Sequence, residues 1–404
     1  MAAMTSSARP LLNRSLAEFG TTIFAEMSAL ALRTESINLG QGFPDTDGPE
    51  EIREAAVRAL RDGRGNQYPP GPGVPELRLA VAAHQERLYG LAHDPDTEVL
   101  VTAGATEAIA AALLALLEPG DEVVALEPYY DSYAACIAMA GARRVPVTLR
   151  PSRGPRDGVA NRHFRLDLDE LRAAVTDRTR LLLINTPHNP TGTVLTREEL
   201  AAVAELAVER DLLVVTDEVY EHLVFDGAEH LPLATFPGMR ERTVTIGSAG
   251  KTFSFTGWKV GWVTGAPALV SAVRSAKQFL TYVASGPFQY AVAEALALPG
   301  TYFAGFRADM QAKRDLLASG LAEAGFEVFT SAGTYFITTD IRPLGESDGF
   351  AFCRALPERA GVVAIPNAVF YDHRDAGAPF VRFAFCKRTE VLQEAVQRLK
   401  RLAG

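Results

Sequence analysis

Between residues 98 and 265 the chain alternates short, unbroken apolar runs with amphipathic stretches. EVLVT (98–102), EVVAL (122–126), RRVPVTL (143–149), LLLIN (181–185), LLVVT (212–216), TVTIG (243–247) and KVGWVTG (259–265) have the length of strands. Most are apolar at nearly every position, which is how a strand covered on both faces reads. ATEAIAAALLALL, DSYAACIAMAGA and TREELAAVAELAVERD lie between them and carry apolar residues at helical spacing. Strands alternating with helices predict an α/β fold with a mostly parallel sheet sandwiched by helices. After the helical stretch ALVSAVRSAKQFL (268–280) the order changes. A long helix over about 301–324 leads into FEVFT, TYFITT, GVVAI and FVRFAF, and the helix EVLQEAVQRLKRL closes the chain. That pattern predicts a smaller α+β domain. We therefore expect an N-terminal arm over 1–45 that joins the small domain, a large domain over 46–295, and a C-terminal small domain over 296–404.

The arm holds a short amphipathic stretch, TTIFAEMSALALR, and the helix EEIREAAVRALRDG follows. NQYPPGPGVPEL is too rich in Pro and Gly for an element interior and reads as an exposed loop. The polar segment 151–164 (PSRGPRDGVANRHF) reads as a surface excursion. The net charge of −9 argues against nucleic acid or an anionic membrane as a partner. Cys136, Cys353 and Cys386 are odd in number and unclustered, so neither a disulfide framework nor a metal site is expected. The opening MAAMTSSARP lacks the features of a signal peptide, and no apolar run has the length of a membrane span. These readings place the protein in the cytoplasm.

Ligands of open α/β sheets bind beyond the carboxyl ends of the strands, so the residues that follow each run are the candidates. After EVLVT, Gly104 permits close backbone approach, and Ala105 and Thr106 open a helix whose free N–H groups could cradle a phosphate. A structural turn explains the same residues. After EVVAL, Tyr129 and Tyr130 offer a ring to stack on a planar ligand, or simply seal the sheet edge. After LLLIN, TPHNPTG is a rigid loop in which Asn189 can donate to a ring substituent. After LLVVT, Asp217 is a carboxylate beyond a buried strand, costly unless it meets a positive group such as a pyridinium nitrogen, although a helix N-cap would also suit it. Tyr220 follows three residues later and can face the same place. After TVTIG comes Lys251, one of only six lysines; its amine can condense with an aldehyde, and Ser248 and Lys259 flank it as phosphate donors. A lone loop lysine is usually just solvated. A phosphate cradle, a ring stacker, an amide donor, a carboxylate and a lysine on successive strand ends together meet the needs of pyridoxal phosphate.

The motifs NLGQGFPD, NQYPPGPG, GATEAI, PHNPTG, DEVYEHLVF, SAGKTFSFTGWKVGW and VRFAFCKR appear in this order along nearly the whole chain. In them the sequence resembles the fold-type I, class I/II aminotransferases, and among these the kynurenine, glutamine and methionine aminotransferases and the N-succinyldiaminopimelate aminotransferases. The resemblance implies an aspartate aminotransferase-like large domain with a seven-stranded sheet, and pyridoxal 5'-phosphate as cofactor. It implies that Lys251 is the Schiff-base lysine and proton shuttle, and that Asp217 pairs with the pyridine nitrogen. Asn189 and Tyr220 would bond the ring oxygen, and Tyr130 would stack on the ring. Gly104, Ala105 and Thr106, with Ser248 and Lys259, would bind the phosphate. Tyr68 would reach the phosphate of a second subunit, so a homodimer with shared sites is expected. Arg382 would grip the substrate α-carboxylate, helped by the backbone of Gly42; read alone, an arginine within FVRFAF is equally a solvated edge residue. The 151–164 excursion is longer than the resemblance leads one to expect.

The expected reaction is ping-pong transfer of an amino group between an L-amino acid and a 2-oxo acid. A lyase or a ring-forming enzyme would keep the same residues and differ in the pocket lining, for which Phe24, Phe43, Phe288 and Tyr335 are candidates. A transcription regulator with an aminotransferase-like sensor would need a DNA-binding domain, for which the stretch before NLGQGFPD is too short. The Gly-x-Gly of PPGPGVPEL follows no strand, so a dinucleotide-binding fingerprint lacks its context.

Overall fold

In the computed structural model, which describes residues 11–20, 22–156 and 159–403, the apolar runs form one seven-stranded sheet. Its strands are β1 (Val99–Thr102), β2 (Glu122–Glu127), β3 (Arg143–Thr148), β4 (Thr179–Asn185), β5 (Leu213–Asp217), β6 (Thr243–Ser248) and β7 (Gly261–Gly265). They lie in the order β1-β7-β6-β5-β4-β2-β3. Every pairing is parallel except those of β7, which runs against both β6 and β1. The carboxyl ends of β1, β2, β4, β5 and β6 therefore share one edge. Register aligns the functional positions there: Asn185 pairs with Asp217, and Gly261 stands opposite both Thr102 and Ser248. Gly261 is required, because a Cβ would come within 2.7 Å of the Gly104 carbonyl carbon. Apolar clusters cover both faces, one around Leu113, Ile137 and Val273, another around Leu171, Leu200 and Leu206.

The C-terminal part holds a four-stranded antiparallel sheet of β8 (Glu327–Val328), β9 (Phe336–Asp340), β10 (Ile365–Pro366) and β11 (Phe380–Ala384), in the order β8-β9-β11-β10. Helices Gly300–Glu323, Gly349–Ala360 and Thr389–Leu399 pack around it. The N-terminal helix Ile23–Thr34 begins at Thr22, whose side chain accepts from Ala25 N, and it contributes Met27 and Ala31 to the same core. Ile37–Asn38 then pairs in parallel with Val362–Val363. Tyr220 and Phe225, which follow β5, also belong to this cluster, so the strand end that carries Asp217 is packed against both parts of the chain.

Several elements differ from expectation. NQYPPGPGVPEL is a loop only up to Val74, because Pro75 is well suited to the first turn of helix Pro75–Tyr89. Helix Gly349–Ala360 is hidden in the sequence by Pro357 near its end. The excursion contains an antiparallel pair, Arg150–Arg156 with Val159–Arg165. MAAMTSSARP and residues 157–158 lie outside the described residues.

Candidate active site

A cavity of about 290 Å³ opens at the shared strand edge, lined by loops after β1, β2, β4, β5 and β6 and by Phe336 and Arg382 of the small sheet. Lys251 stands in the short helix Ala249–Thr252 that continues β6. Ser248 caps this helix, its Oγ accepting from Gly250 N at 3.3 Å. Lys251 Nζ donates to Tyr335 Oη at 2.9 Å, and Tyr335 donates in turn to the carbonyl of Gly42. Burial lowers the Lys251 amine to about 8, opposed by Cys386 and Asp217 and reinforced by Lys259 and Arg382.

Asp217 ends β5 and is buried. It accepts from Tyr133 Oη at 2.5 Å and from Val219 N at 3.4 Å. Burial raises its pKa; the Tyr133 hydroxyl and Lys251 pull the other way. Tyr220 also lines the cavity, edge-on to Tyr335 with centroids 5.2 Å apart. Asn189 is held at its backbone, where its N–H donates to Asn185 Oδ1 at 2.8 Å, and at its side chain, whose Oδ1 accepts from Arg382 Nη1 at 2.9 Å. The neighbouring His188 turns away into the core and bonds Thr191 Oγ1 at 2.8 Å.

Gly104, Ala105 and Thr106 line the cavity at the start of helix Gly104–Leu116. Gly104 has φ +78, and a Cβ on it would meet the Lys259 amine at 3.2 Å. This glycine thus permits both the backbone conformation and the approach of the amine. Tyr130 lines the cavity edge-on to Tyr133, with centroids 5.9 Å apart.

Arg382 comes from the middle of β11 and is 1% exposed. Its Nη2 donates to Gly40 O at 2.9 Å, while Nε is buried without a hydrogen-bond partner. Its guanidinium sits 4.0 Å from the ring centroid of Phe336, with Phe24 at 5.4 Å and Phe370 at 5.1 Å. Burial lowers its pKa to about 10, so it remains a cation at neutral pH. Gly42 lines the cavity, but its carbonyl is taken by Tyr335.

One cavity thus gathers Gly42, Gly104, Ala105, Thr106, Tyr130, Asn189, Asp217, Tyr220, Ser248, Lys251, Lys259 and Arg382, together with Phe24 and Phe43. Tyr68 is outside it; this residue is 80% exposed and edge-on to Tyr282 at 5.3 Å. Phe288, expected in the lining, stacks instead on Trp258 at 4.7 Å, because its helix Gly286–Leu296 packs on the helices Glu50–Arg61 and Pro75–Tyr89. Tyr335 lies behind Lys251. Sequence reasoning passed over Tyr133, Asn185 and Phe336. The only signal for Tyr133 was its place in EPYYDSY, three residues beyond Tyr130.

The sequence matches the family model described as aminotransferase class I and II over residues 34–399. It is 56% identical over 396 residues to a Mycobacterium tuberculosis protein named "Probable N-succinyldiaminopimelate aminotransferase DapC", spanning 96% of this chain and 98% of that one. It is 40% identical over 399 residues to the methionine aminotransferase of Escherichia coli, spanning 97% and 99%. The solved structure of the Mycobacterium tuberculosis N-succinyldiaminopimelate aminotransferase superposes with a TM-score of 0.93, covering 97% of this chain and all (100%) of that one.

Proposed function

This chain belongs to the class I and II aminotransferases, and from that premise we propose how its residues divide the work of amino transfer. The enzyme uses pyridoxal 5'-phosphate and moves an amino group between an L-amino acid and a 2-oxo acid in ping-pong fashion. The residues present fit that cofactor at three points. The buried Asp217 carboxylate feels Lys251 at a distance but forms no ion pair with the described residues, and a protonated ring nitrogen would supply one. Gly104 holds the start of a helix open beside the Lys259 amine, and Ser248 stands nearby on the same cavity wall, a donor set suited to a phosphate dianion. Lys251 brings an amine that burial has shifted toward its neutral, nucleophilic form.

Bound pyridoxal phosphate supplies an electron sink for the α-carbon of the attached amino acid. In our reading Lys251 would hold its aldehyde end, and the Lys251 amine would serve as general base for the proton at the substrate α-carbon. Asp217 would keep a proton on the ring nitrogen, and the Tyr133 hydroxyl favours the ionised carboxylate against the burial that raises its pKa. Tyr220 and Asn189 would address the ring oxygen, and Tyr130 would lie against the ring. Gly104, Ala105, Thr106, Ser248 and Lys259 would hold the phosphate. Arg382 takes the α-carboxylate, which would satisfy its unpaired Nε. Phe24, Phe336 and Val219 keep water from this end of the cavity. The observation that carries the reading is the convergence of Lys251 and Asp217, from neighbouring strand ends, and Arg382, from the small sheet, on one cavity.

We also infer a homodimer in which Tyr68, exposed in its own chain, completes the partner's site. A cytoplasmic location is supported by three buried free cysteines; among the described residues no helix is long and apolar enough to cross a membrane. For the amino donor, the aromatic walls Phe24, Phe43 and Phe336 suit an extended side chain, as in the donors for which the methionine and N-succinyldiaminopimelate relatives are named. The test is a half-reaction screen. Enzyme alone is mixed with each L-amino acid, and the loss of the cofactor's visible absorption is followed. Conversion by at least one donor, with release of its 2-oxo acid, is expected. Silence with every donor, or pyruvate and ammonia as the products, would overturn the reading in favour of elimination.

A further inference from the structure

The segment after β5 presents two faces. Asp217 and Tyr220 face the cofactor cavity, whereas Glu221 and His222 line a second cavity of about 520 Å³ shared with Tyr89, His230 and Phe303. On that side helix Pro75–Tyr89 brings in His84 and Gln85. His84 Nε2 and His222 Nε2 stand 3.0 Å apart, and Glu221 Oε1 is 3.8 Å from His222 Nε2. The three potential ligand atoms all lie within 4.8 Å of one another. His84 is 1% and Glu221 6% exposed, so these groups are not an incidental surface cluster.

Ligand atoms on a tetrahedral zinc with bonds of about 2.0–2.1 Å are about 3.3 Å apart, so the two separations at His222, 3.0 and 3.8 Å, need adjustments of about half an ångström or less, and the third, within 4.8 Å, needs Glu221 to swing further toward His84. His84 Nδ1 is 3.3 Å from the carbonyl of Leu296. Arg87 Nη2, which can only donate, also lies 3.1 Å from His84 Nδ1, so metal binding would move the imidazole proton from Nε2 to Nδ1, where the Leu296 carbonyl can accept it and fix the ring. Glu221 is paired with the Tyr89 hydroxyl, but the acceptor beside it is short of a donor. Gln85 Oε1 is buried without a partner, and Gln85 Nε2 reaches Glu221 Oε2 only at 3.5 Å. Arg87, 3.1 Å from His84 Nδ1, and Arg307 on the cavity wall oppose a cation. Their repulsion disfavours ions held by charge alone, such as calcium, more than metals held by imidazole bonds.

We propose that His84, His222 and Glu221 form a binding site for a divalent transition metal of the zinc class, behind the strand end that carries Asp217. The metal would tie helix Pro75–Tyr89 to the segment 217–222. In the test, holoenzyme freed of metal by chelator dialysis is titrated with zinc by calorimetry. One equivalent per chain is expected. His84→Gln and Glu221→Gln should each weaken binding at least tenfold with the cofactor absorption unchanged. X-ray absorption at the zinc edge of the wild-type enzyme should report two imidazole nitrogens, a readout that does not depend on the variants folding. No saturable binding, binding that both substitutions leave intact, or a spectrum without imidazole would overturn the proposal, leaving a simple His84–His222 hydrogen bond.

Discussion

The most direct consequence of the cavity's electrostatics concerns the Lys251 amine in the enzyme stripped of cofactor. Burial moves its pKa from the ordinary 10.5 to about 8. At pH 7 that leaves about a tenth of the amine neutral, against about one part in three thousand for an ordinary lysine. The nucleophile should therefore be enriched by about two to three powers of ten. The same shift fixes the sign of the linkage. The folded pKa lies below the unfolded one, so the charged amine destabilises the fold below pH 8. That cost, about 3 kcal/mol by the usual conversion, is relieved as pH rises from about 8 to 10.5. The assay is competitive acylation of the apoenzyme by trace anhydride, with an added small amine as internal standard and Lys251 quantified by peptide mass spectrometry. Reactivity should rise about tenfold per pH unit below pH 8 and level above it. A reactivity that keeps climbing through pH 10 would refute the reasoning, because the cavity would then not desolvate the amine.

Tyr133→Phe removes the donor 2.5 Å from Asp217; a bond to a charged acceptor contributes about 1.5–3 kcal/mol, so kcat should fall about tenfold or more, in steady-state assays at pH 7. Arg382→Lys keeps a charge but loses the planar fork between the rings of Phe336 and Phe24; KM for the amino acid should rise by about ten- to a hundredfold while cofactor absorption is retained. Gly104→Ala meets both the positive φ and the Lys259 amine; it should cost about 1 kcal/mol in stability and weaken cofactor retention in equilibrium dialysis more than that. Leu183→Ala, in the fully covered strand β4, should lower stability by about 2–5 kcal/mol in denaturant titrations with no change in KM.

Much of the large domain was legible because a strand buried on both faces must be apolar throughout. The runs of β1, β2, β4, β5 and β6 are short and continuous, and helices separate all of them but β5 and β6, which a loop with one short 3-10 turn joins. That alternation also singled out the strand ends, where Asp217 and Lys251 stand as polar residues directly after apolar strands. Local pattern does not encode direction, so the reversed course of β7 was silent in KVGWVTG. Pro357 and the Pro-rich approach to Pro75 concealed two helices, since proline signals a break more strongly than the first or last turn of a helix that tolerates it.

The chain's own sequence decided which groups are available: a scarce lysine, a carboxylate after a buried strand, a glycine where a helix must start against an amine. Only the tertiary structure decided which of them meet and in what state. Tyr133 reaches Asp217 across 84 residues, and Tyr335 reaches Lys251 across another 84. Arg382 reads as one polar position in an apolar strand, and its fate is settled by Gly40, 342 residues away, and by three aromatic faces. Contacts at such separations leave no periodicity in a sequence. The pKa of a group depends on the dielectric and the charges that those contacts create around it, and these exist only once the chain has folded.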